Sequence, residues 1–315
     1  MKISGDAPAI SVVIVCDYAA GGEGGWGDIR KALAAMAAQD FEEPAEFILC
    51  ESEEFRENVP ADLSAVLPGL KILFVRGQSA YELKNAAAEA ASGEFLALID
   101  ADCVARPDCL RRLVASLRNH PEAAAVCGKT IYPEKALSVR ISSLLSRAYI
   151  DPGREGPTSF MSQNCVAYRR EEYLAHPMPT HMGGFASHVQ AEELWRSGSV
   201  VWFDPMIQVE HDFEGWSMER DFRRNRGHGT IRTRLLDPSL PYAWLVRLGR
   251  IGIAPIVAWK IFSSWRECVR CGRGYGIRWY ELPAAMAASV GINLLEVPGM
   301  LAAFRGHGPG RSNFR

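Results

Sequence analysis

Two carboxylates stand one residue apart in the run Leu98-Ile-Asp-Ala-Asp-Cys103. They follow the apolar stretch Phe95-Leu-Ala-Leu-Ile99, which predicts a buried strand with charge at its carboxyl end. In open α/β sheets, ligands bind outside the carboxyl ends of the strands. Asp100 and Asp102 there can approach one hard cation, Mg²⁺ or Mn²⁺, which can in turn bridge and neutralise a diphosphate. A lone D-x-D occurs by chance in many turns, so its weight depends on its surroundings. Elsewhere, Cys268 and Cys271 have C-x-x-C spacing, but no second pair or nearby His completes a zinc site.

The elements that must position the acids are legible from pattern. Ser11-Val-Val-Ile-Val-Cys16, Glu46-Phe-Ile-Leu-Cys50 and Lys71-Ile-Leu-Phe-Val75 read as strands. The first is followed by a loop with Gly21, Gly22, Gly24, Gly25 and Gly27, then a helix through about Gln39. Ala80 to Ala91 is an Ala-rich helix ended by Ser92-Gly93, and Pro107 precedes an amphipathic helix over Cys109 to Leu117. Strands alternating with helices at this spacing predict a mostly parallel α/β sheet. Further strands are expected at 124–127, 162–168 and 199–203, the last ending before Asp204-Pro205.

The chain has 315 residues, 48% of them hydrophobic, which excludes global disorder. With 35 Lys+Arg against 37 Asp+Glu, the net charge of -2 argues against nucleic-acid binding by bulk charge. Eight scattered cysteines are too few for a disulfide scaffold and predict a reducing cytosol. The opening residues 1–10 contain no long apolar segment, so no signal peptide is expected.

The run Lys84-Asn85-Ala-Ala-Ala-Glu-Ala-Ala-Ser-Gly-Glu-Phe-Leu-Ala-Leu-Ile-Asp-Ala-Asp102 resembles the signature of family-2 glycosyltransferases with the GT-A fold. Three weaker likenesses follow in order: Ser11 to Cys16 as first strand, Asn164 to Arg170 resembling Asn-x-x-x-x-Arg-Arg, and Val209-Glu-His211 as a late strand with a His. The resemblance implies a GT-A domain over residues 8–215 and inverting transfer from a nucleotide-sugar donor. It implies that Asp100 and Asp102 hold the ribose and the metal–diphosphate. His211 matches a further metal or diphosphate ligand, with imidazole suiting Mn²⁺ better than Mg²⁺. Glu51 matches the acid that faces the nucleotide base, and Lys84 the position of an Arg near the nucleotide.

The chain also departs from the family pattern. Cys50-Glu51-Ser52-Glu53 stands where Asp-Asp-Gly-Ser is usual, so the nucleotide is not named. The first strand ends Val15-Cys16-Asp17-Tyr18 rather than in the family's Pro-Thr/Ala-Tyr-Asn. Inverting transfer needs a carboxylate to take the acceptor's proton. Counted back from Gly198 without gaps, the family's acidic pair falls on Ala186 and Ser187. With a shorter helix it falls on Glu192 and Glu193, which are the expected bases, with His188 as a third candidate. The gapless count leaves open a silent member that binds nucleotide-sugar as a scaffold. A nucleotidyltransferase would want a basic Gly-rich loop after the first strand, whereas Gly21 to Gly27 carries Glu23 and no Lys or Arg.

Residues 216–315 form a basic and apolar helical region. In Arg220-Asp-Phe-Arg-Arg-Asn-Arg226, Arg223 or Arg224 falls where related membrane-associated transferases carry arginines near diphosphate or acceptor. The apolar segments 241–265 and 282–304 are long enough to span a bilayer, but Arg247, Arg250, Lys260, Asn293 and Glu296 would be costly inside one. Amphipathic helices on the cytoplasmic membrane face fit better, the competing reading being a helical subdomain covering the sheet. A glycan or lipid-linked acceptor is the corresponding expectation.

Overall fold

The computed structural model describes residues 7–15, 25–76, 79–213 and 215–307. Cys16, Asp17, Tyr18 and the Gly21 to Gly24 part of the glycine loop lie outside the described residues.

Among the described residues nine strands form one sheet: β1 (Ile10–Val15), β2 (Ala45–Ser52), β3 (Lys71–Val75), β4 (Phe95–Asp100), β5 (Cys103–Ala105), β6 (Ala123–Ile131), β7 (Gly156–Pro157), β8 (Cys165–Arg169) and β9 (Val200–His211). Their order is β3-β2-β1-β4-β8-β6-β9-β5, with the short β7 against β9. β1 to β4 are mutually parallel, β8 runs antiparallel between β4 and β6, and β5 runs antiparallel to β9. Twelve helices are interleaved among the described residues: α1 (Gly25–Ala37), α2 (Leu63–Val66), α3 (Ala80–Ala90), α4 (Cys109–Asn119), α5 (Leu137–Arg147), α6 (Arg170–Ala175), α7 (Ala186–Arg196), α8 (Trp216–Leu236), α9 (Ala243–Val246), α10 (Ile253–Cys271), α11 (Leu282–Leu294) and α12 (Val297–Phe304). This is the expected α/β sheet of the GT-A type with a helical C-terminal region.

The two-residue period of a strand explains the layers. Ile10, Val12 and Ile14 of β1 pack with Ile29 and Leu33 of α1 and Leu113 of α4 on one side. Val13 and Val15 point the other way, into a cluster with Leu83 of α3 and Leu194 of α7. A strand buried on both faces is a continuous apolar run, and that is how β1 reads. The C-terminal helices have cores of their own. Ile141 and Leu144 of α5 pack with Cys268, Cys271 and Ile292, so the C-x-x-C cysteines serve as small hydrophobes. Ile231 of α8 packs with Val246, Ile256 and Met300. None of the described cysteines forms a disulfide.

One expected boundary moves. The strand expected to stop before Asp204-Pro205 continues to His211. Between Cys127↔Phe203 and Lys129↔Gln208 the register shifts, so residues 204–207 of β9 face only Gly128 of β6. Pro205 sits inside this bulge, where a missing N–H breaks no ladder bond. Gly128 is required there, because a Cβ would lie 2.4 Å from the Ile207 carbonyl oxygen.

Candidate functional site

β4 delivers Asp100 to the carboxyl edge of the sheet, and the chain turns through Ala101 and Asp102 into β5. β5 pairs with the end of β9 so that Cys103 faces His211. The pairing sets His211 Nε2 3.2 Å from Asp102 Oδ2. Burial opposes the charge on Asp102, but the His211 imidazolium outweighs it and holds the carboxyl down at about 2. Burial likewise opposes the charge on His211, and Asp102 outweighs it and raises the imidazole above its ordinary value. His211 Nδ1 lies 2.6 Å from the Asp212 carbonyl, which can only accept, so Nδ1 carries a proton and Nε2 is the atom turned toward Asp102.

Asp100 is held from below. Lys84, on α3 and 1% exposed, donates from Nζ to Asp100 Oδ1 at 2.7 Å. α3 starts at a capping box in which the Ser79 hydroxyl and the Glu82 carboxylate each accept the other's backbone N–H, fixing the helix that carries Lys84. The neighbouring Asn85 ties α3 to the segment around α6, because its Oδ1 accepts from the Tyr173 hydroxyl and its Nδ2 donates to the Met178 carbonyl.

A third arm was not legible in the sequence. Arg147, the last residue of α5, donates to Asn164 Oδ1 at 2.5 Å, and Asn164 Nδ2 reaches the Cys103 sulfur at 3.3 Å. Asn164 therefore ties a permanently charged guanidinium to the acidic turn. Tyr132, at the end of β6, stacks on the His211 ring at 5.5 Å between centroids and lies 5.8 Å from the Arg147 guanidinium carbon.

Asp100, Asp102, Tyr132, Arg147, Asn164 and His211 line one end of a cavity of about 660 Å³. Its walls come from both sides of residue 215: Asp100, Asp102, Arg147, Asn164, Ser187, His188 and His211 on one side, and Glu219, Phe222, Arg226, Gly229 and Arg232 of α8 on the other. The α8 residues recur every three or four positions, so one face of the helix forms the wall. Gly183 and Gly184 contribute backbone, and Gly183 has φ +56, a conformation that favours glycine. The next residue, Phe185, packs a ring edge on α8, where a Cβ on Gly229 would lie 2.4 Å from it.

The expected donor residues divide. Asp100, Asp102 and His211 meet at the cavity, with Lys84 behind Asp100. Glu51, 1% exposed, ends β2 outside the cavity lining, and a carboxylate oxygen accepts the Ser52 N–H at 2.6 Å. Arg223 does not line the cavity either: it is buried beneath the wall, donating to Glu219 at 2.7 Å and to the Ser146 hydroxyl at 2.6 Å. Arg226 and Arg232 face the cavity instead, and Arg224 is exposed outside it.

The expected bases are not brought to the site. α7 begins at Ala186, so Glu192 and Glu193 fall at the end of its second turn, and they line no part of the cavity. The gapless count describes the geometry: Ser187 and His188 face the cavity from the first turn. Burial, with the Arg226, Arg234 and Lys260 cations nearby, holds the His188 imidazole down at about 3, so it is neutral at ordinary pH and a weak base. The buried carboxylate that does face the cavity, besides the acidic turn, is Glu219.

Whether the acidic turn suits a divalent cation can be judged from its donors. Among the described residues no three His, Cys, Asp or Glu side chains cluster as a complete metal cage. Asp102 and His211 offer one oxygen and one nitrogen, with the far ring nitrogen of His211 anchored on a carbonyl as metal-binding histidines require. Two protein ligands with open positions match a cation that shares its coordination with substrate phosphates.

A family profile described as glycosyl transferase family 2 matches residues 12–174, more than half of the chain. No curated protein matches the sequence. Among solved structures, the chain is similar to the mannosyltransferase PcManGT from Pyrobaculum calidifontis in complex with GDP-Man and Mn²⁺, at TM-score 0.59 and 15% identity over 95% of this chain and 88% of that one. It is also similar to S. aureus TarS 1-349 in complex with UDP, at TM-score 0.50 and 12% identity over 95% and 92% of the two chains. A third similar structure is GalNAc-T7 with UDP, GalNAc and Mn²⁺, at TM-score 0.50 and 16% identity, covering 67% of this chain and 44% of that one. At these identities the likeness establishes the fold.

Proposed function

The chain belongs to glycosyl transferase family 2, so its chemistry is glycosyl transfer, and from that premise we propose that the cavity moves a sugar from a nucleoside-diphosphate donor to an acceptor hydroxyl with inversion. The observation that carries the donor site is the juxtaposition of Asp102, His211 and Arg147 at the carboxyl edge of β4. Nucleotide complexes of similar structures support a nucleotide-bound donor, and Mn²⁺ in two of them supports a divalent cation. Asp102 and His211 would hold such a cation, which would supply positive charge toward the departing diphosphate. Arg147, fixed by Asn164, adds a positive charge that needs no reorganisation as the leaving group's charge grows. Lys84 aims Asp100 at the edge, where it accepts from donor hydroxyls.

The acceptor oxygen attacks the anomeric carbon on the side opposite the diphosphate, and its proton must pass to a base. Glu219 is the carboxylate we assign, because it is buried, faces the cavity and has one oxygen oriented by Arg223 and Ser146. Phe185, wedged between Gly229 and His188, offers an apolar face on which an acceptor sugar can stack.

One observation favours a silent, nucleotide-binding member: Ser187 stands at the first turn of α7, where the family usually has an acid. Binding of nucleoside diphosphates with and without Mn²⁺, followed by turnover of nucleotide-sugars, separates the readings. Asp102→Asn is expected to lower turnover by roughly 10²–10³-fold, the cost of removing one group that stabilises developing charge. It should also abolish the metal dependence of binding. Glu219→Gln is expected to keep nucleotide binding and lose turnover by at least roughly 10²-fold. Wild-type protein that binds nucleotide but turns over no donor would make the silent reading correct.

A further inference from the structure

α10 and α11 form an antiparallel pair in which Trp265 donates to the Met286 carbonyl at 3.0 Å and Asn293 to the Ser264 hydroxyl at 3.2 Å. Cys268 of α10 and Ile292 of α11 enter the same core against α5, so the two helices bury a common side and present a common outer side. On a water-facing helix the outer stripe is polar. Here the outer stripe of α10 is Pro255, Ala258, Trp259, Phe262, Trp265 and Val269 with the charged Arg266 among them, and that of α11 is Pro283, Ala287, Gly291 and Leu294, continued by Pro298 of α12. Around them stand Trp244, Ile251 and Trp279, which are 65%, 80% and 82% exposed.

The charges around these stripes have one sign. Residues 241–307 carry seven arginines and one lysine against three acids. Arg247, Arg250, Arg266, Arg273 and Arg278 are exposed. The acids are turned inward: Glu281 is held by Arg140 at 2.9 Å, Glu296 is fully buried against Lys260, and Glu267 is half-buried. An apolar face carrying tryptophans and ringed by exposed arginines complements an anionic, amphiphilic surface. It does not complement itself, because a two-fold contact through it would set arginines against arginines.

Trp279–Phe304 is also 26 residues of helix apolar enough to cross a membrane by length and composition. Crossing is incompatible with its contacts, since Glu296 in its midst meets Lys260, Arg223 and Arg226 and a Cβ on Gly299 would lie 1.9 Å from the Arg224 carbonyl oxygen. The segment is committed to the protein on one side and can only lie along a bilayer with the other.

We propose that the outer face of α10 and α11, with Trp244, Ile251 and Trp279, docks in the plane of an anionic phospholipid bilayer through its aromatic stripe and arginine rim. This goes beyond the transferase reading and does not depend on it, and its test needs no turnover. The whole chain is sedimented with vesicles of phosphatidylcholine alone and of phosphatidylcholine mixed with phosphatidylglycerol. Association with the mixed vesicles is expected to exceed that with phosphatidylcholine by roughly tenfold or more and to weaken with salt. Replacing Arg247 and Arg250 by Gln should cost most of that preference. The combined Trp259→Ser, Phe262→Ser and Trp279→Ser variant should lose binding to both vesicles while keeping the wild-type unfolding midpoint, since all three side chains are exposed. Equal binding to the two vesicle types, binding to neither, or a dimer that the triple variant dissolves would overturn the proposal.

Discussion

At the acidic end of the cavity, Asp100, Asp102 and Asn164 stand at or beside strand ends, and each has a buried polar partner: Lys84 at 2.7 Å, His211 at 3.2 Å and Arg147 at 2.5 Å. Along the opposite wall, α8 is positioned by backbone contact. A Cβ on Gly227 would lie 2.0 Å from the Glu296 carbonyl oxygen, and Gly229 seats Phe185. One end is fixed by the ladder of the sheet and charge pairs at the strand ends, the other by how closely two helices and a ring can approach, with the ion pairs of Glu296 to Lys260, Arg223 and Arg226 buried behind the wall. Charge pairs define direction and sign, which a leaving diphosphate demands. A packed wall defines shape, which is what an acceptor meets.

Three substitutions test that division. Lys84→Met should have the largest effect, because it leaves Asp100 without its ammonium in a buried place; a loss of roughly 3–5 kcal/mol is expected from urea unfolding. An unchanged midpoint would mean that the acidic end is solvated rather than pinned. Gly227→Ala should cost about 1–3 kcal/mol, the usual penalty of overpacking, and should raise the acceptor KM more than the donor KM. Equal changes in both constants would erase the distinction between the two ends. Glu192→Gln should do least, shifting stability by no more than about 0.5 kcal/mol with kcat unchanged. A large fall in kcat would return the base to α7.

How much of this was readable depended on distance along the chain. The strands β1 to β4 and the acid pair at the end of β4 follow from local pattern, since a strand's end fixes where its next residue goes, whereas the family resemblance set Lys84 near the nucleotide and the structure pairs it with Asp100. His211 was readable because it ends a β-rich run, although Pro205 hid the length of β9. Arg147 carried no local signal: it closes an ordinary amphipathic helix, and only the packing of α5 brings it to Asn164. The register of α7 was hard to read for a related reason. Two adjacent glutamates suggested the acidic pair, but the helix start at Ala186, set by the turn through Gly183 and Gly184, decides which residues face inward. Arg223 and Arg226 lie three residues apart on one helix, and their different roles follow from the placement of Ser146 and Glu219 on one side and open cavity on the other.

The seam between α8 and α12 has a further consequence. With Gly227 against the Glu296 backbone and Gly299 against the Arg224 backbone, no compressible layer separates the two helices. A displacement of α12 is a displacement of α8, and Arg226, 3.8 Å from the Glu296 carboxylate, moves with it. Whatever presses on the outer helices and whatever fills the cavity therefore act on one mechanical body. By thermodynamic reciprocity, an occupant that favours one seat of this body at either end changes the affinity of the other end by the same factor.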